Sequence, residues 1–535
     1  MSEPTRRPRW PALVALALVL AGTARIASTW TVFNHVIDEP DTIAPGMEYL
    51  STGRFLYEDT HPPVGRVVSA IGPFLAGERF HPGPNSYSEG YRILGHGEHY
   101  DRILALARSG SLIFFWIASL VTYLWAMRAG GPFAAVLATL VFTTIPPILA
   151  HSGLATTDSS LCAMTAAAAL SSLYWTELPT RRNSIVLGVL IALAFCSKFS
   201  AILYLPTAWA LMLIVSRPAN LFREAWSRRR QIALIAATIA LTIWAIYAFT
   251  FGRVDFLHLR LPAPRFFSGI HSVWLHSQRG HPAYLFGRRS AIGFWYYFPS
   301  VFALKTPLAM LLLVILSPFL LRNVRQTIGS HRLPAGSALL PAAFSIGILL
   351  ISMRGHIDLG VRYLLPVYVG FAVVCGCAAA SARGWIPKLA VAVLLAWQII
   401  SGDLAHPNYL AYTNEITAGH PERFLADSDL DWGQDMKRLN QFLLDHHATQ
   451  VTFDPFNRTY AMAGHDMLPM RPAAPDHPSP GWNAASITLW KVFGDPAWPD
   501  RIPPQYKIGN SIFVWHFPDD ALGAVRRGEP PVTFR

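Results

Sequence analysis

Eleven apolar segments constrain this chain more than any other feature of its sequence. A helix needs about 20 mostly apolar residues to cross a bilayer, and most of these segments approach that length. Only 14% of the 535 residues are charged, whereas a soluble domain carries about 25% charged residues. We therefore predict a polytopic α-helical membrane protein with about eleven transmembrane helices. The segments lie near 11–29, 103–127, 131–149, 154–175, 184–198, 200–216, 231–251, 293–321, 337–353, 360–381 and 386–403.

The arginines predict how these segments are oriented, because cytoplasmic loops carry an excess of Lys and Arg. If the N-terminus with Arg9 is cytoplasmic, the even-numbered connections also face inward, and they carry arginines from Arg128 to Arg383. The short outward links "HSG" and "RGHIDLG" carry only Arg354. The first apolar run also fits a signal peptide, but the many later spans favour an uncleaved anchor. We predict a multi-pass protein of the cytoplasmic (inner) membrane, with a cytoplasmic N-terminus and an extracytoplasmic C-terminus.

Three parts of the chain are predicted to lie outside the membrane: a large first outer loop, 30–102, a second loop, 252–292, and the tail, 404–535. The tail has no apolar run of spanning length. In it, "GQDMKRLNQFLLDHH" has the apolar spacing of a helix, and "TQVTFD", "ASITLW" and "SIFVWHF" are typical of strands. We predict a membrane domain, 1–403, followed by a small extracytoplasmic α/β domain, 404–535.

Acidic residues cluster where the first apolar segment ends. "VIDEPD" places Asp38 and Glu39 side by side. They are either the solvated end of a helix or a general base or metal ligand at the membrane surface, since adjacent acids raise each other's pKa toward neutrality. His61, in "EDTHPPVGR", belongs to the same loop and either marks a turn or joins these acids. Asp158, in "HSGLATTDSS", either caps a helix or has a function, because a charge inside an apolar span is costly.

Isolated cations stand at the outer ends of several spans, and a further acidic motif follows the last span. The cations either snorkel toward the surface or bind a phosphate, for which Arg offers a bidentate fork. The late motif "DSDLDWGQDMKRL" either starts a helix with favourable acids or contributes to a site. The candidate residues of these two groups are Lys198, Lys305, His356 and Arg362, and Asp429, Asp431, Trp432 and Gln434.

These stretches follow one another in an order that resembles a known family. "DEP", "GMEYLSTGRF", "HPPVGR", "GLATTDS", "SKFSA", "YYFPSVFALKTP", "DLGVRYLLPVY" and "DSDLDWGQDMKRL" are similar to motifs of the membrane glycosyltransferases that use polyprenyl-phosphate-linked sugars. The closest likeness is to glycosyltransferase family 39, the relatives of the dolichyl-phosphate-mannose–protein mannosyltransferases, which have the C-type membrane fold. The likeness covers residues 30 to about 440. Val64 is a minor departure, because several relatives have leucine or isoleucine after "HPP".

The resemblance implies an inverting sugar transfer at the outer face of the membrane. In the family an acid of the first outer loop is essential as base or metal ligand, and it matches Asp38, with Glu39 beside it. The second acidic position matches Asp158. By implication Lys198, Lys305 and Arg362 hold the donor phosphate. The candidate ligands of a divalent metal ion are Asp38, Asp158 and His61, and the motifs do not fix its identity. His356, Asp429, Asp431, Trp432 and Gln434 are further active-site candidates.

Other functions fit parts of the sequence. A transporter or flippase for a lipid-linked or anionic solute also uses intramembrane charges, although no inverted repeat is evident. Further alternatives are a noncatalytic subunit of a membrane assembly and a polysaccharide polymerase or ligase of the same broad fold. The expected partners are the polyprenyl-phosphate sugar, membrane lipids and an acceptor that is a protein, a lipid or an envelope glycan. Since topology accounts for much of the net charge of +12, no nucleic acid is expected.

Overall fold

The structure is a computed structural model that describes residues 9–58, 60–216, 221–321, 327–328, 331–332, 339–456 and 464–518. Part of the predicted tail domain, after residue 518, lies outside these ranges. So do several arginines on which the predicted orientation depends, namely Arg6, Arg7, Arg217, Arg322 and Arg325.

The described ranges contain eighteen α-helices, and each of the eleven predicted apolar segments lies on one or two of them. The helices are α1 Trp10–Ala27, α2 Asp38–Thr52, α3 Pro63–Leu75, α4 Ser86–Leu94, α5 Gly97–Thr143, α6 Pro146–Ser152, α7 Asp158–Glu177, α8 Arg181–Phe195, α9 Ala201–Ser216, α10 Leu221–Ser227, α11 Arg229–Ile246, α12 Pro264–Arg279, α13 Tyr297–Lys305, α14 Leu308–Leu321, α15 Leu340–Ser352, α16 Leu365–Ala380, α17 Trp385–Leu404 and α18 Met436–Asp445.

Five helical stretches in the described ranges are long and apolar enough to cross a membrane: α1, α5, α11, Val361–Ala380 around α16, and α17. α5 contains a kink at Gly131, whose φ of 83° is outside the helical range, so two of the predicted segments share this one element. A sixth candidate is α13 with α14, which meet at a bend of 110°. The bend coincides with Pro307, which disfavours a helical Thr306 before it. The protein is thus a multi-pass helical membrane protein, and the count of eleven spans stays a prediction.

The first outer loop folds into three short helices, α2, α3 and α4, that pack on one another and on the outer part of α5. Acids in the first turn of α2 suit the positive end of the helix dipole, and Pro63 occupies the first position of α3, where its missing amide costs nothing. The helices approach closely at Gly46, where a Cβ would lie 2.1 Å from the Arg66 carbonyl oxygen. This packing fixes the start of α2 over the membrane helices.

The tail contains a five-stranded sheet against which α18 packs. The strand order is β10-β11-β9-β7-β8, with β7 parallel to β8 and β9 and the other pairs antiparallel. Met436, Leu439 and Leu443 of α18 are buried against the sheet. Only the first two residues of "ASITLW" are in a strand, because β9 ends at Ser486 and a π-helical turn follows at Leu489–Phe493. The strands are β1 Phe251–Val254, β2 Leu259–Pro262, β3 Ala283–Leu285, β4 Arg288–Ser290, β5 Thr327–Ile328, β6 His331–Arg332, β7 Val451–Thr452, β8 Met470–Arg471, β9 Gly481–Ser486, β10 Tyr506–Ile508 and β11 Ile512–Phe517.

Candidate active site

One cavity of about 620 Å³ brings together residues of the first outer loop, the start of α7, the α8–α9 break, α12 and the segment between α15 and α16. Five of the predicted site residues line it: Asp38, His61, Asp158, Lys198 and Arg362. The rest of its wall is largely apolar and includes Phe199, Ile202, Leu203, Ile270, Val273 and Trp274. The cavity therefore has a charged part and an apolar part.

Asp38 lies opposite Arg362 in this cavity. Asp38 is the first residue of α2, and an Arg362 Nη1 donates to its Oδ2 at 2.6 Å. Arg362 lies in a 3₁₀ turn, donates from Nε to the carbonyl oxygen of Leu359 at 2.9 Å, and its guanidinium carbon lies 4.2 Å from the centre of the Trp432 ring. The cation is thus fixed on three sides, while the side chain of Asp38 is 31% exposed toward the cavity.

Asp158 and Lys198 form a second pair of opposite charges. Asp158 is the first residue of α7 and is 1% exposed, and the Lys198 ammonium donates to its Oδ1 at 2.6 Å. Lys198 lies in the break between α8 and α9, where its Nζ is also 3.9 Å from the centre of the Tyr363 ring. The break allows a lysine to enter the cavity from between two apolar helices.

A third charged group adjoins the cavity and consists of Asp41, Glu58, His61 and Arg66. Arg66, which is 1% exposed, donates to Asp41 Oδ2 at 3.1 Å and makes a shorter contact to Glu58. Burial opposes ionisation of Glu58, but Arg66 and His61 outweigh it and lower the pKa of its carboxyl to about 2. Burial raises the pKa of Asp41 despite Arg66. Burial and the Arg66 charge lower the pKa of His61 to about 4, so its imidazole is neutral at pH 7.

The predicted metal ligands, Asp38, Asp158 and His61, line one cavity, but their ligand atoms do not form a cluster. Asp38 and Asp158 are each paired with a cation, and His61 instead joins Asp41 and Glu58, where one ligand atom from each residue lies within 4.8 Å of the others. Two carboxylates and an imidazole are a donor set that suits a borderline metal such as Zn²⁺. Arg66 already supplies a positive charge to both carboxylates, so a metal ion there would have to displace a buried guanidinium. The group is an acidic cluster with a histidine, and it fits a metal poorly while Arg66 is in place.

Glu39 does not line the cavity, contrary to the predicted catalytic role. Its carboxylate is fully buried, and both oxygens accept from Arg108, each at 2.8 Å. It also accepts from the backbone amides of Val36 at 2.8 Å and Ala155 at 2.9 Å. Since Ala155 precedes Asp158 by three residues, Glu39 joins the two chain segments that carry the catalytic candidates. Its geometry is that of a structural residue.

Lys305 does not reach the cavity either, contrary to its predicted contact with the donor phosphate. It ends α13 and is 1% exposed. Its ammonium donates to the carbonyl oxygens of Leu410 at 2.7 Å and Asp429 at 2.5 Å. The lysine therefore ties the bend between α13 and α14 to the segment after α17.

The candidate residues of the late acidic motif do not line the cavity, but some of them hold residues that do. Asp429 accepts from the Val361 amide at 2.9 Å and from the Tyr297 hydroxyl at 3.2 Å, which fixes the turn that carries Arg362. Asp431 accepts from the Thr488 amide at 3.2 Å, and Gln434 donates to the Leu430 carbonyl at 2.8 Å. Trp432 alone of the four candidates contacts a cavity residue, through the guanidinium of Arg362.

Two residues of the segment before Arg362 differ from expectation. His356 is exposed and is not part of the cavity wall; its carbonyl oxygen accepts from the His281 amide at 3.0 Å. Asp358 was not predicted. It is 1% exposed and accepts from the Phe294 amide at 2.6 Å, while its Oδ1 has no hydrogen-bond partner among the described residues. Burial raises the pKa of Asp358 to about 7.

Comparisons with known proteins concern the family and the fold. Residues 15–260 match the family model of dolichyl-phosphate-mannose-protein mannosyltransferase. The family resemblance is confirmed. No curated protein matches the chain.

Solved structures give the fold. ArnT from Cupriavidus metallidurans bound to undecaprenyl phosphate is 16% identical over 76% of this chain and 67% of its own, with a TM-score of 0.52. The same protein in the apo state is 12% identical over 94% and 98% of the two chains, with a TM-score of 0.49. The first likeness shows a shared fold. The family match supports a relation to the dolichyl-phosphate-mannose-protein mannosyltransferases over residues 15–260.

Proposed function

We propose that the protein transfers a sugar from a polyprenyl-phosphate donor to an acceptor hydroxyl at the outer face of the cytoplasmic membrane, with inversion at the sugar carbon. The observation that carries this proposal is the cavity in which two carboxylate–cation pairs, Asp38 with Arg362 and Asp158 with Lys198, stand beside an apolar wall. Acids are needed to accept a proton, cations to hold a phosphate, and an apolar wall to receive a lipid.

Asp38 is the proposed general base. The acceptor oxygen attacks the anomeric carbon, its proton passes to the Asp38 carboxylate, and the bond from the anomeric carbon to the phosphate oxygen breaks. The polyprenyl phosphate leaves with the bonding electron pair. Arg362 holds Asp38 in the structure, so a donor phosphate that takes one face of this guanidinium would free the carboxylate to act. A phosphate accepts the bidentate fork of Arg as well as a carboxylate does.

Lys198 is the proposed second cation for the leaving phosphate. It is 6% exposed and sits on the Tyr363 ring, and a positive charge that is shielded from solvent stabilises developing negative charge strongly. Asp158 keeps the ammonium in this position and can orient the acceptor hydroxyl. Lys305 has no place in this proposal, because its ammonium is bound to backbone carbonyls.

No step of this mechanism depends on a metal ion. Arg66 already occupies the position between Asp41 and Glu58, and it stiffens the loop next to His61. We expect transfer to persist after dialysis against EDTA, and loss of transfer that Zn²⁺ or Mn²⁺ restores would assign a metal to this cluster.

The experiment that tests the function uses the purified chain in lipid nanodiscs. Polyprenyl phosphates that carry a radiolabelled sugar, mannose among them, are incubated with envelope fractions that contain proteins, lipids or glycans. We expect label to move from one donor into one fraction while polyprenyl phosphate is released. The family match and the fold favour this activity over transport, and a flippase would move the labelled donor between leaflets without cleaving it. An absence of donor cleavage with every sugar and fraction would overturn the proposal.

A further inference from the structure

One cation on the cavity wall has no partner in the part of the chain that the structure describes. Arg354 lines the cavity in the segment after α15 and is exposed. Its guanidinium makes no hydrogen bond, ion pair or ring contact with a described residue. The other two cations that line the cavity, Lys198 and Arg362, each have a carboxylate within 2.6 Å. The charge of Arg354 is therefore available to a ligand.

Two histidines on the same wall accompany Arg354. His276 belongs to the last turn of α12 and His281 follows it, and their ring centres are 6.0 Å apart. The His281 amide donates to the His356 carbonyl oxygen at 3.0 Å, which fastens the end of α12 beside the Arg354 segment. Partial burial, followed by the charges of His281 and Arg279, lowers the pKa of His276. A neutral imidazole still offers a ring N–H to an anion.

Exposure to solvent distinguishes this group from the proposed donor phosphate site. Lys198 and Arg362, which pair with the acids of the cavity, are each 6% exposed, whereas Arg354 and His276 are exposed. A group that enters from the aqueous side meets the outer residues first. The donor phosphate has to reach the inner residues, because the leaving group and the base act on the same carbon.

We propose that Arg354, His276 and His281 form a second anion site, which binds a phosphate group carried by the acceptor. This inference rests on the proposed function, since it assumes that the inner cations take the donor. It narrows the acceptor to a molecule whose reactive hydroxyl lies near a phosphate, such as a phosphorylated glycan or lipid headgroup. The bidentate fork of Arg354 would carry the phosphate, and the imidazoles would donate hydrogen bonds to its remaining oxygens.

The test measures binding by calorimetry with the full chain in detergent. The probes are glycerol 3-phosphate for the outer site and undecaprenyl phosphate for the inner site, with glycerol as the neutral reference. The variant is Arg354→Gln. Its matched control is Arg288→Gln, which removes an exposed arginine that has no side-chain partner in the described ranges and lies outside the cavity wall. Melting curves establish that both variants are folded.

We expect Arg354→Gln to weaken the binding of glycerol 3-phosphate about 10-fold or more, the size of a lost charge-assisted hydrogen bond. The affinity of the variant for undecaprenyl phosphate should stay within about 2-fold of that of the unaltered chain. Arg288→Gln should change neither. Glycerol 3-phosphate should still bind when undecaprenyl phosphate is saturating. If Arg354→Gln weakens the binding of undecaprenyl phosphate instead, Arg354 belongs to the donor site and the inference is wrong. If the unaltered chain binds glycerol 3-phosphate no better than glycerol, no such site exists. If the unaltered chain does not bind undecaprenyl phosphate, it is the proposed function that fails.

Discussion

Glu39→Gln is the substitution that separates a structural carboxylate from its catalytic neighbour. The Glu39 side chain is fully buried and accepts two hydrogen bonds from Arg108 and two from backbone amides. Glutamine has the same size but only one acceptor oxygen, and its NH₂ group would face a guanidinium or an amide. Arg108 is 1% exposed, so its charge would remain buried without an opposite charge.

The expected cost follows from that geometry. Removing one partner of a buried ion pair destabilises a protein by about 3–5 kcal/mol, because the remaining charge keeps its desolvation penalty. We expect Glu39→Gln to unfold at a clearly lower temperature and to lose transfer only in proportion to the unfolded fraction. The matched control is Glu98→Gln, which alters an exposed acid at the start of α5 and should change neither property.

The assay is thermal unfolding in detergent, followed by transfer measured at a temperature where the variant is still folded. A variant with the unfolding midpoint of the unaltered chain and a transfer rate lowered 100-fold would refute this reasoning. It would show that Glu39 takes part in the reaction and that its pairing with Arg108 is not maintained during turnover.

Three further predictions concern the donor site, the buried carboxyl of Asp358 and the orientation. Arg362→Ala should weaken donor use more than Arg362→Lys, because lysine keeps the charge without the fork; equal turnover of both variants with limiting donor would contradict this. The pKa of Asp358 is raised to about 7 in the fold, so the stability that its protonated form contributes is lost as pH rises through 7. Asp358→Asn should therefore stabilise the protein by roughly 1–3 kcal/mol at pH 8 but not at pH 4, whereas Asp255→Asn, at an exposed acid, should not. Equal melting shifts at both pH values would contradict this. Reporter fusions after residue 180 should report cytoplasm and those at 270 the outside, and the reverse would overturn the predicted orientation.

The sequence predicted the charged part of the cavity because each of its residues carries a local signal. Asp38, Asp158 and Lys198 are charges at the edges of apolar segments, where an unexplained charge is costly. The ordered motifs of the family then placed them together, along with Arg362 and His61. The structure joins all five in one cavity, although their roles remain proposals.

The roles of Glu39 and Lys305 could not be read from local sequence, because their partners are distant in the chain. Glu39 binds Arg108, 69 positions away, and Lys305 binds the carbonyl oxygens of Leu410 and Asp429, 105 and 124 positions away. Both looked functional as isolated charges near apolar segments. Only the packing of the folded chain determines which charged side chains form structural pairs.

Arg66 is among the residues that sequence reasoning missed, although it lies inside the quoted motif "HPPVGR". α3 is apolar on the side that carries Ile71 and Leu75, but that side is exposed, and Arg66 lies on the buried side with Ser69. A buried arginine requires carboxylate partners, and these are Asp41 and Glu58. The burial of Arg66 could therefore not be read from helical spacing, and the metal prediction named Asp38 and Asp158 instead of these carboxylates.

Transfer by Asp38→Asn tests the central claim most directly. Asparagine keeps the size and one acceptor oxygen for Arg362 but cannot take the acceptor's proton, and a positioned general base contributes about 10²–10⁴-fold. We predict that the purified variant melts close to the unaltered chain, since the Asp38 side chain is 31% exposed, and that sugar transfer from the polyprenyl-phosphate donor falls by that factor. Transfer at more than about half the unaltered rate would contradict the account, and Asp38 would then be only the structural partner of Arg362.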